Sequence, residues 1–218
     1  LYKLNKEDVN IMTIEDPVEY QLEGVSQVQI REDIGLTFAS VLRSFLRQDP
    51  EVILVGEIRD AETADIAIKA SLTGHLVMST LHTNDAVSTV TRLLNMGIPD
   101  YLISTSLNLV LAQRLVRKLC SQCAAPANPS NKALYRSFCE PLSYLEDSST
   151  ALKMAVGCKF CQHTGYFGRI PLFEVLVPSR KFLQTIRDGV STEELRGVAR
   201  DDGFTSIHQN ALELLMNG

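Results

Sequence analysis

Apolar positions in the first hundred residues follow two alternating rhythms. Short β-branched runs give way to stretches in which apolar side chains recur every three or four positions, the pattern of a parallel sheet covered by helices. Asn10-Ile11-Met12-Thr13-Ile14 is the first run, and it stops at Glu15-Asp16-Pro17, where proline ends a ladder. Val25 to Ile30 alternates apolar with polar, as a half-exposed strand does. Phe38, Val41, Leu42, Phe45 and Leu46 then fall at helical spacing behind a Thr37 cap, with Arg43 and Arg47 together on the other face. Glu51 to Gly56 predicts a continuous buried strand that delivers Glu57 at its C-terminal end. Asp60 caps an Ala-rich helix closed by Gly74, and His75 to His82 predicts another strand. Thr83 or Asn84 is expected to cap a helix running to Gly97, followed by a further apolar helix from Asp100 to Gln113.

Past Arg114 the character changes. Arg114-Leu115-Val116-Arg117-Lys118 leads into Cys120-x-x-Cys123 and a Pro/Ser/Asn-rich stretch from Ala124 to Lys132, which marks a small insertion. Gly165 to Leu176 reads as a hairpin, and helical periods at Leu183, Ile186, Leu195, Val198 and Leu212 to Leu215 predict a small helical end domain. The expected division is an α/β core over 1–116, a cysteine subdomain over 117–165 and an end region over 166–218.

The cysteines change the picture most. Cys120 with Cys123, and Cys158 with Cys161, form two C-x-x-C pairs, and Cys139 is left over. Thiolates at this spacing can turn toward one tetrahedral centre, and two such pairs complete a closed Zn²⁺ site with no open position for catalysis. The alternative is two unrelated thiol pairs, or disulfides in an exported protein. With no apolar signal core at the start and one thiol unpaired, the zinc reading is favoured.

Composition narrows the function classes. Lys and Arg number 21 against 26 Asp and Glu, a net charge of −5, so no broad basic field is available to gather nucleic acid. Aromatic content is 6% with no Trp, which counts against a stacking platform for single strands. The apolar runs are all far shorter than a membrane span.

In a parallel sheet all strand C-termini point to one edge, and ligands bind in the crevice outside it. Three predicted strands end there with Glu15-Asp16, Glu57 and His82. Clustered carboxylates repel one another unless a cation or a polarised water stands among them, and Mg²⁺ on a phosphate chain is such a partner. Other readings stay open: Asp16 and Asp60 as simple helix caps, His75 as a turn histidine, and the Arg43 and Arg47 pair as a solvated helix face.

The segments Thr13-Ile14-Glu15-Asp16-Pro17-Val18-Glu19, Leu42-Arg43-Ser44-Phe45-Leu46-Arg47-Gln48-Asp49-Pro50, Gly56-Glu57-Ile58-Arg59-Asp60 and Gly74-His75-Leu76-Val77-Met78-Ser79-Thr80-Leu81-His82-Thr83 resemble the secretion ATPase family that drives type II secretion and type IV pilus assembly. The two C-x-x-C pairs fit its assembly or export branch. The resemblance implies a RecA-like, mostly parallel sheet with flanking helices, a Cys₄ zinc-binding insertion and a C-terminal helical subdomain. It implies ATP and Mg²⁺ as substrate and cofactor, with Glu15 activating the attacking water, Asp16 beside it, Glu57 closing an atypical Walker B strand and His82 near the γ-phosphate. Arg43 and Arg47 are then contacts to nucleotide or to the adjoining subunit. The implied assembly is a homo-hexamer in the bacterial cytoplasm, peripheral to the inner membrane through cytoplasmic and inner-membrane machine components. No G-x-x-x-x-G-K-[ST] occurs in the chain. It is therefore expected to be the C-terminal part of such a motor and inactive alone. The competing expectation is a non-catalytic zinc-ribbon module that binds protein or nucleic acid.

Overall fold

The computed structural model describes residues 1–127 and 152–216. Four short strands, β1 (Ile11–Glu15), β2 (Ser26–Gln29), β3 (Val52–Val55) and β4 (Leu76–Ser79), form one sheet in the order β2-β1-β3-β4. Every neighbouring pair is parallel, with Ile14 opposite both Val28 and Val55, and Val55 opposite Ser79. All four strands therefore end at one edge. Ile11, Thr13 and Ile14 of β1 and Ile53 and Val55 of β3 are fully buried, as inner parallel strands require.

Local chemistry sets the helices that cover the sheet. In α1 (Phe38–Phe45) Thr37 and Ser40 form a reciprocal capping box, and Phe38, Ala39, Val41, Leu42 and Phe45 are buried. Asp60 caps α2 (Ala61–Leu72) by accepting the Thr63 amide at 2.7 Å. The cap of α3 (Ala86–Asn95) is Asp85, one residue beyond the expected Asn84, because its carboxylate reaches the Ser88 amide at 2.7 Å. His75 lies before β4 and bonds the Ala70 carbonyl through Nδ1 at 2.9 Å, so it is a turn histidine. His82 lies beyond β4, so the two histidines flank a four-residue strand instead of sharing a longer one.

Two predicted elements are corrected. The helix expected over Asp100 to Gln113 stops early as α4 (Asp100–Ser106), and Val110–Leu119 is a strand, β5. Thr105 and Ser106 turn their hydroxyls back onto the Tyr101 and Leu102 carbonyls, a local competition that weakens continuation of a helix. The hairpin expected over Gly165 to Leu176 is one strand, β8 (Tyr166–Leu176), whose partner is the distant β5. Gly168 takes φ +77° inside it without reversing the chain.

The chain falls into two compact units. The first is 1–110 with 176–202; it holds the parallel sheet, α1 to α4, α5 (Arg180–Arg187) and α6 (Thr192–Asp201). In it α4 packs on α2 and α5, and α3 packs on α6. The second is 111–175 with 203–218. It holds most of the β5-β8 pair, the small antiparallel pair β6 (Ala125–Pro126) and β7 (Lys153–Met154), and α7 (Ile207–Met216). Asn210 of α7 bonds the Phe173 carbonyl at 2.6 Å, and the Ile207 amide bonds the buried Glu174 carboxylate at 2.8 Å. The helices read from sequence as one end domain are thus shared between two units.

Candidate functional site

Glu57 stands just beyond β3, where Gly56 passes very close to β1. The Gly56 amide bonds the Ile14 carbonyl at 2.7 Å, and a Cβ there would lie 2.9 Å from that same oxygen and 3.3 Å from Glu15 Cα. Only glycine allows this approach, and it sets Glu15 beside the backbone that carries Glu57. The Thr80 hydroxyl donates to the Gly56 carbonyl at 2.6 Å and the Ile58 amide donates to the Thr80 carbonyl at 3.0 Å, so the chain leaving β4 is laced to the chain leaving β3.

That lacing brings His82 to Glu57. His82 Nε2 lies 3.0 Å from Glu57 Oε2, while Arg59 donates to Oε1 at 2.5 Å and its guanidinium is 3.6 Å from Asp16. The Glu57 side chain is 14% exposed and that of His82 87%, so the carboxylate is the shielded member of the pair. The hydrogen bond from Arg59 holds the Glu57 carboxyl below the usual carboxylate range; desolvation opposes this and His82 adds to it. Glu15 is held separately: buried Thr13 donates to its Oε1 at 2.6 Å and Gln27 at 2.9 Å. Both donors land on one oxygen, and among the described residues no hydrogen bond is recorded to the other.

Glu57, His82 and Asp16 meet at one sheet edge through Arg59, with Glu15 on the neighbouring strand end. Arg43 and Arg47 do not reach them. Arg43 pairs with Glu62 of α2, and Arg47 bonds the Arg43 carbonyl at 2.9 Å on its own helix. Arg59 was missed, although a cation two residues past a strand-end carboxylate was there to be read. Beside His82 opens a cavity of about 270 Å³, lined by Thr83, Asn84, Ser88, Arg92 and Asn95 among others and by no carboxylate.

The second candidate centre is Cys120, Cys123, Cys158 and Cys161, whose sulfurs all lie within 4.8 Å of one another. The recorded Sγ to Sγ distances are 3.8 and 3.9 Å, against the roughly 3.8 Å edge of a tetrahedron with ordinary Zn–S bonds. No disulfide joins them. The Cys158 and Gly165 amides donate to Cys161 Sγ, both at 3.2 Å, and the Gly157 amide donates to Cys123 Sγ at 3.3 Å. Burial opposes charge on Cys161, but these amides and neighbouring thiols bring it down to about 6. Burial and the other thiols push Cys123 up to about 11. The donor set and its spacing fit zinc. Cys139 lies outside the described residues.

Residues 1–218 match the family described as Type II/IV secretion system protein along their whole length. The chain belongs to that family. It is 48% identical over 219 residues to the type IV pilus assembly ATPase PilB of Myxococcus xanthus (strain DK1622), covering 100% of this chain and 38% of that protein. It is 43% identical over 220 residues to a putative type II secretion system protein E of Escherichia coli (strain K12), covering 100% of this chain and 43% of that protein. Among solved structures it resembles the pilus retraction motor PilT with bound ADP, with a TM-score of 0.69 and 28% identity, covering all of this chain and 52% of that one. The family member described here thus spans well under half the length of these curated relatives, and its parallel sheet with flanking helices is of the RecA-like kind.

Proposed function

We propose that the chain is the C-terminal part of a homo-hexameric motor that hydrolyses ATP and drives type II secretion or type IV pilus assembly. The observation that carries this is the Glu57-His82 pair and the nearby Glu15 at one edge of a parallel sheet, in a chain whose relatives are named as such ATPases. Glu15 accepts the proton of the attacking water on the oxygen that Thr13 and Gln27 leave open. Glu57 orients that water or the metal's own waters, and His82, tied to Glu57, contacts the γ-phosphate region. Asp16 and Glu57 are the oxygen donors that would hold Mg²⁺ through water, and the ion would neutralise phosphate charge. Arg43 and Arg47 serve the nucleotide or the adjoining subunit, Arg43 by exchanging Glu62 for a phosphate.

The four cysteines would hold one structural Zn²⁺, a closed site that takes no part in hydrolysis. No helix among the described residues is long and apolar enough to cross a membrane. The family reading, by itself, suggests a place at the cytoplasmic side of the inner membrane reached through partner proteins. The chain has no phosphate-cradling G-x-x-x-x-G-K-[ST], so residues 1–218 alone are expected to bind Mg-ATP weakly and not to turn it over.

The test is Glu57→Gln and Glu15→Gln in the complete subunit. Each is expected to lower kcat by about a hundredfold or more with nucleotide affinity largely retained, since Glu15 serves the attacking water and Glu57 would reach the metal only through water. Unchanged turnover in both variants would remove the hydrolytic reading.

A further inference from the structure

His82 is highly exposed, and among the described residues its recorded side-chain partner is Glu57, while the next residue of its loop, Thr83, shares a hydroxyl hydrogen bond with Thr89 of α3 at 2.9 Å. One end of that loop is fixed by Thr80, whose hydroxyl and carbonyl both bond the segment leaving β3. The other end is Asp85, and its attachment is unusual. Oδ1 caps α3 through the Ser88 amide, while Oδ2 takes the Ser88 hydroxyl at 2.8 Å and the Arg196 guanidinium at 2.7 Å. The same Arg196 nitrogen reaches the Ser88 hydroxyl at 3.1 Å, and its other nitrogen lies 3.5 Å from Glu193. A second bridge, Thr91 to Thr192 at 2.7 Å, joins the same two helices one turn further on.

From this geometry we infer that Arg196 is a positioning residue: acting through Asp85, it holds the 81–84 loop so that His82 keeps its contact with Glu57. The inference deepens the ATPase reading and rests on it for its kinetic consequence, though not for the contact itself. A capping carboxylate alone fixes α3 to its own first turn. The added guanidinium fixes that turn to α6, so the orientation of His82 becomes sensitive to where α6 lies. A loop pinned at both ends presents its middle residue at lower entropy than a loop pinned at one.

Two measurements test it. In residues 1–218, the imidazole Cε1–H signals of His75, His82, His163 and His208 are assigned by single substitution. Arg196→Gln is expected to shift or broaden the His82 signal alone, as Glu57→Gln does, while Arg200→Gln, which loses an ion pair to Glu193 and a bond to the Arg196 carbonyl, both on its own helix, leaves it in place. In the complete subunit, Arg196→Gln is expected to lower kcat about tenfold with KM within twofold, and Arg196→Lys to restore most of it. In a His82→Gln background the same change should matter less than twofold, because its route of action is gone. A His82 signal that ignores Arg196→Gln, or losses that multiply in the double variant, overturns the inference. If the unsubstituted subunit hydrolyses no ATP, the ATPase reading falls while the imidazole signals still decide the contact. Should Arg196→Gln fail to fold, Asp85→Asn, which removes the charge that Arg196 pairs with, carries the same comparison.

Discussion

In the sheet unit most apolar residues of the inner strands are buried, with Ile14, Ile53 and Val55 at 0% exposure. In the other unit, Leu111 and Leu115 of β5 are 53% and 52% exposed, Phe167 and Val175 of β8 are 57% and 47% exposed, and the buried residues include Cys120 and Cys161 beside Leu172 and Leu212. The first unit is stabilised by area removed from water. The second shows less such area among its described residues, and on the zinc reading proposed above a cluster of thiolates around an ion would add to its stability.

The largest expected effect follows from that contrast. Stripping metal under reducing conditions should remove the order of the segments around Cys120–Cys123 and Cys158–Gly165, since structural zinc binding contributes about 10–16 kcal/mol in small cysteine sites at neutral pH. Amide exchange should rise there and stay slow in β1 and β3. Reductively purified protein without one zinc per chain would end the argument. Next in size, Ile53→Ala should destabilise the sheet unit by about 2–5 kcal/mol while zinc content is unchanged, read by denaturant unfolding beside metal analysis. Equal effects of both changes on both regions would mean that the chain unfolds as one body and that the contrast is only one of composition.

The same contrast explains what was legible in the sequence. β1, β3 and the caps Thr37 and Asp60 are local matters of β-branched runs and short polar side chains, and they were read within a residue or two. The cysteine spacing was equally plain. The partner of β5 was not, because β8 lies far along the chain and the apolar residues of 107–111 are ambiguous between helix and strand at that length. At the candidate site the carboxylates and His82 were legible as strand ends. Arg59 lies in the Gly56 to Asp60 segment, two residues past Glu57, and Arg196 carries no signal, since it meets Asp85 only through the packing of α6 on α3.

A smaller effect sharpens the comparison inside the sheet unit itself. Gly56→Ala places a methyl 2.9 Å from the Ile14 carbonyl, and backbone cannot swing aside as a side chain does. A loss of about 1–3 kcal/mol is expected, because overpacking forces the strands apart. Gly35→Ala, at φ +78° with nothing near, separates the two causes: any loss there comes from backbone strain and not from contact. If Gly56→Ala is neutral, the close approach of β1 and β3 is not what sets Glu15 beside Glu57.

The smallest effect concerns how α6 is joined to the sheet unit. Burial opposes charge on Asp85, but the Ser88 amide and hydroxyl and the Arg196 guanidinium outweigh it and hold its carboxyl below the usual range. A carboxyl depressed in the folded state contributes stability that is present above the unfolded value, about 3.9, and lost as pH falls through the lower folded one. Asp85→Asn keeps a good cap and loses the charge, so at pH 7 it should cost about 0.2–1 kcal/mol, the range of a partly exposed ion pair. Asp85→Ala loses the cap as well and should cost about 1 kcal/mol more. The gap between Asp85→Asn and the unsubstituted protein should close as pH falls below the ordinary aspartate value, and added salt should narrow it at pH 7. A gap constant from pH 7 to pH 3 would show that Arg196 gains nothing from the Asp85 charge, leaving the Thr91 to Thr192 bridge and apolar packing to hold α6.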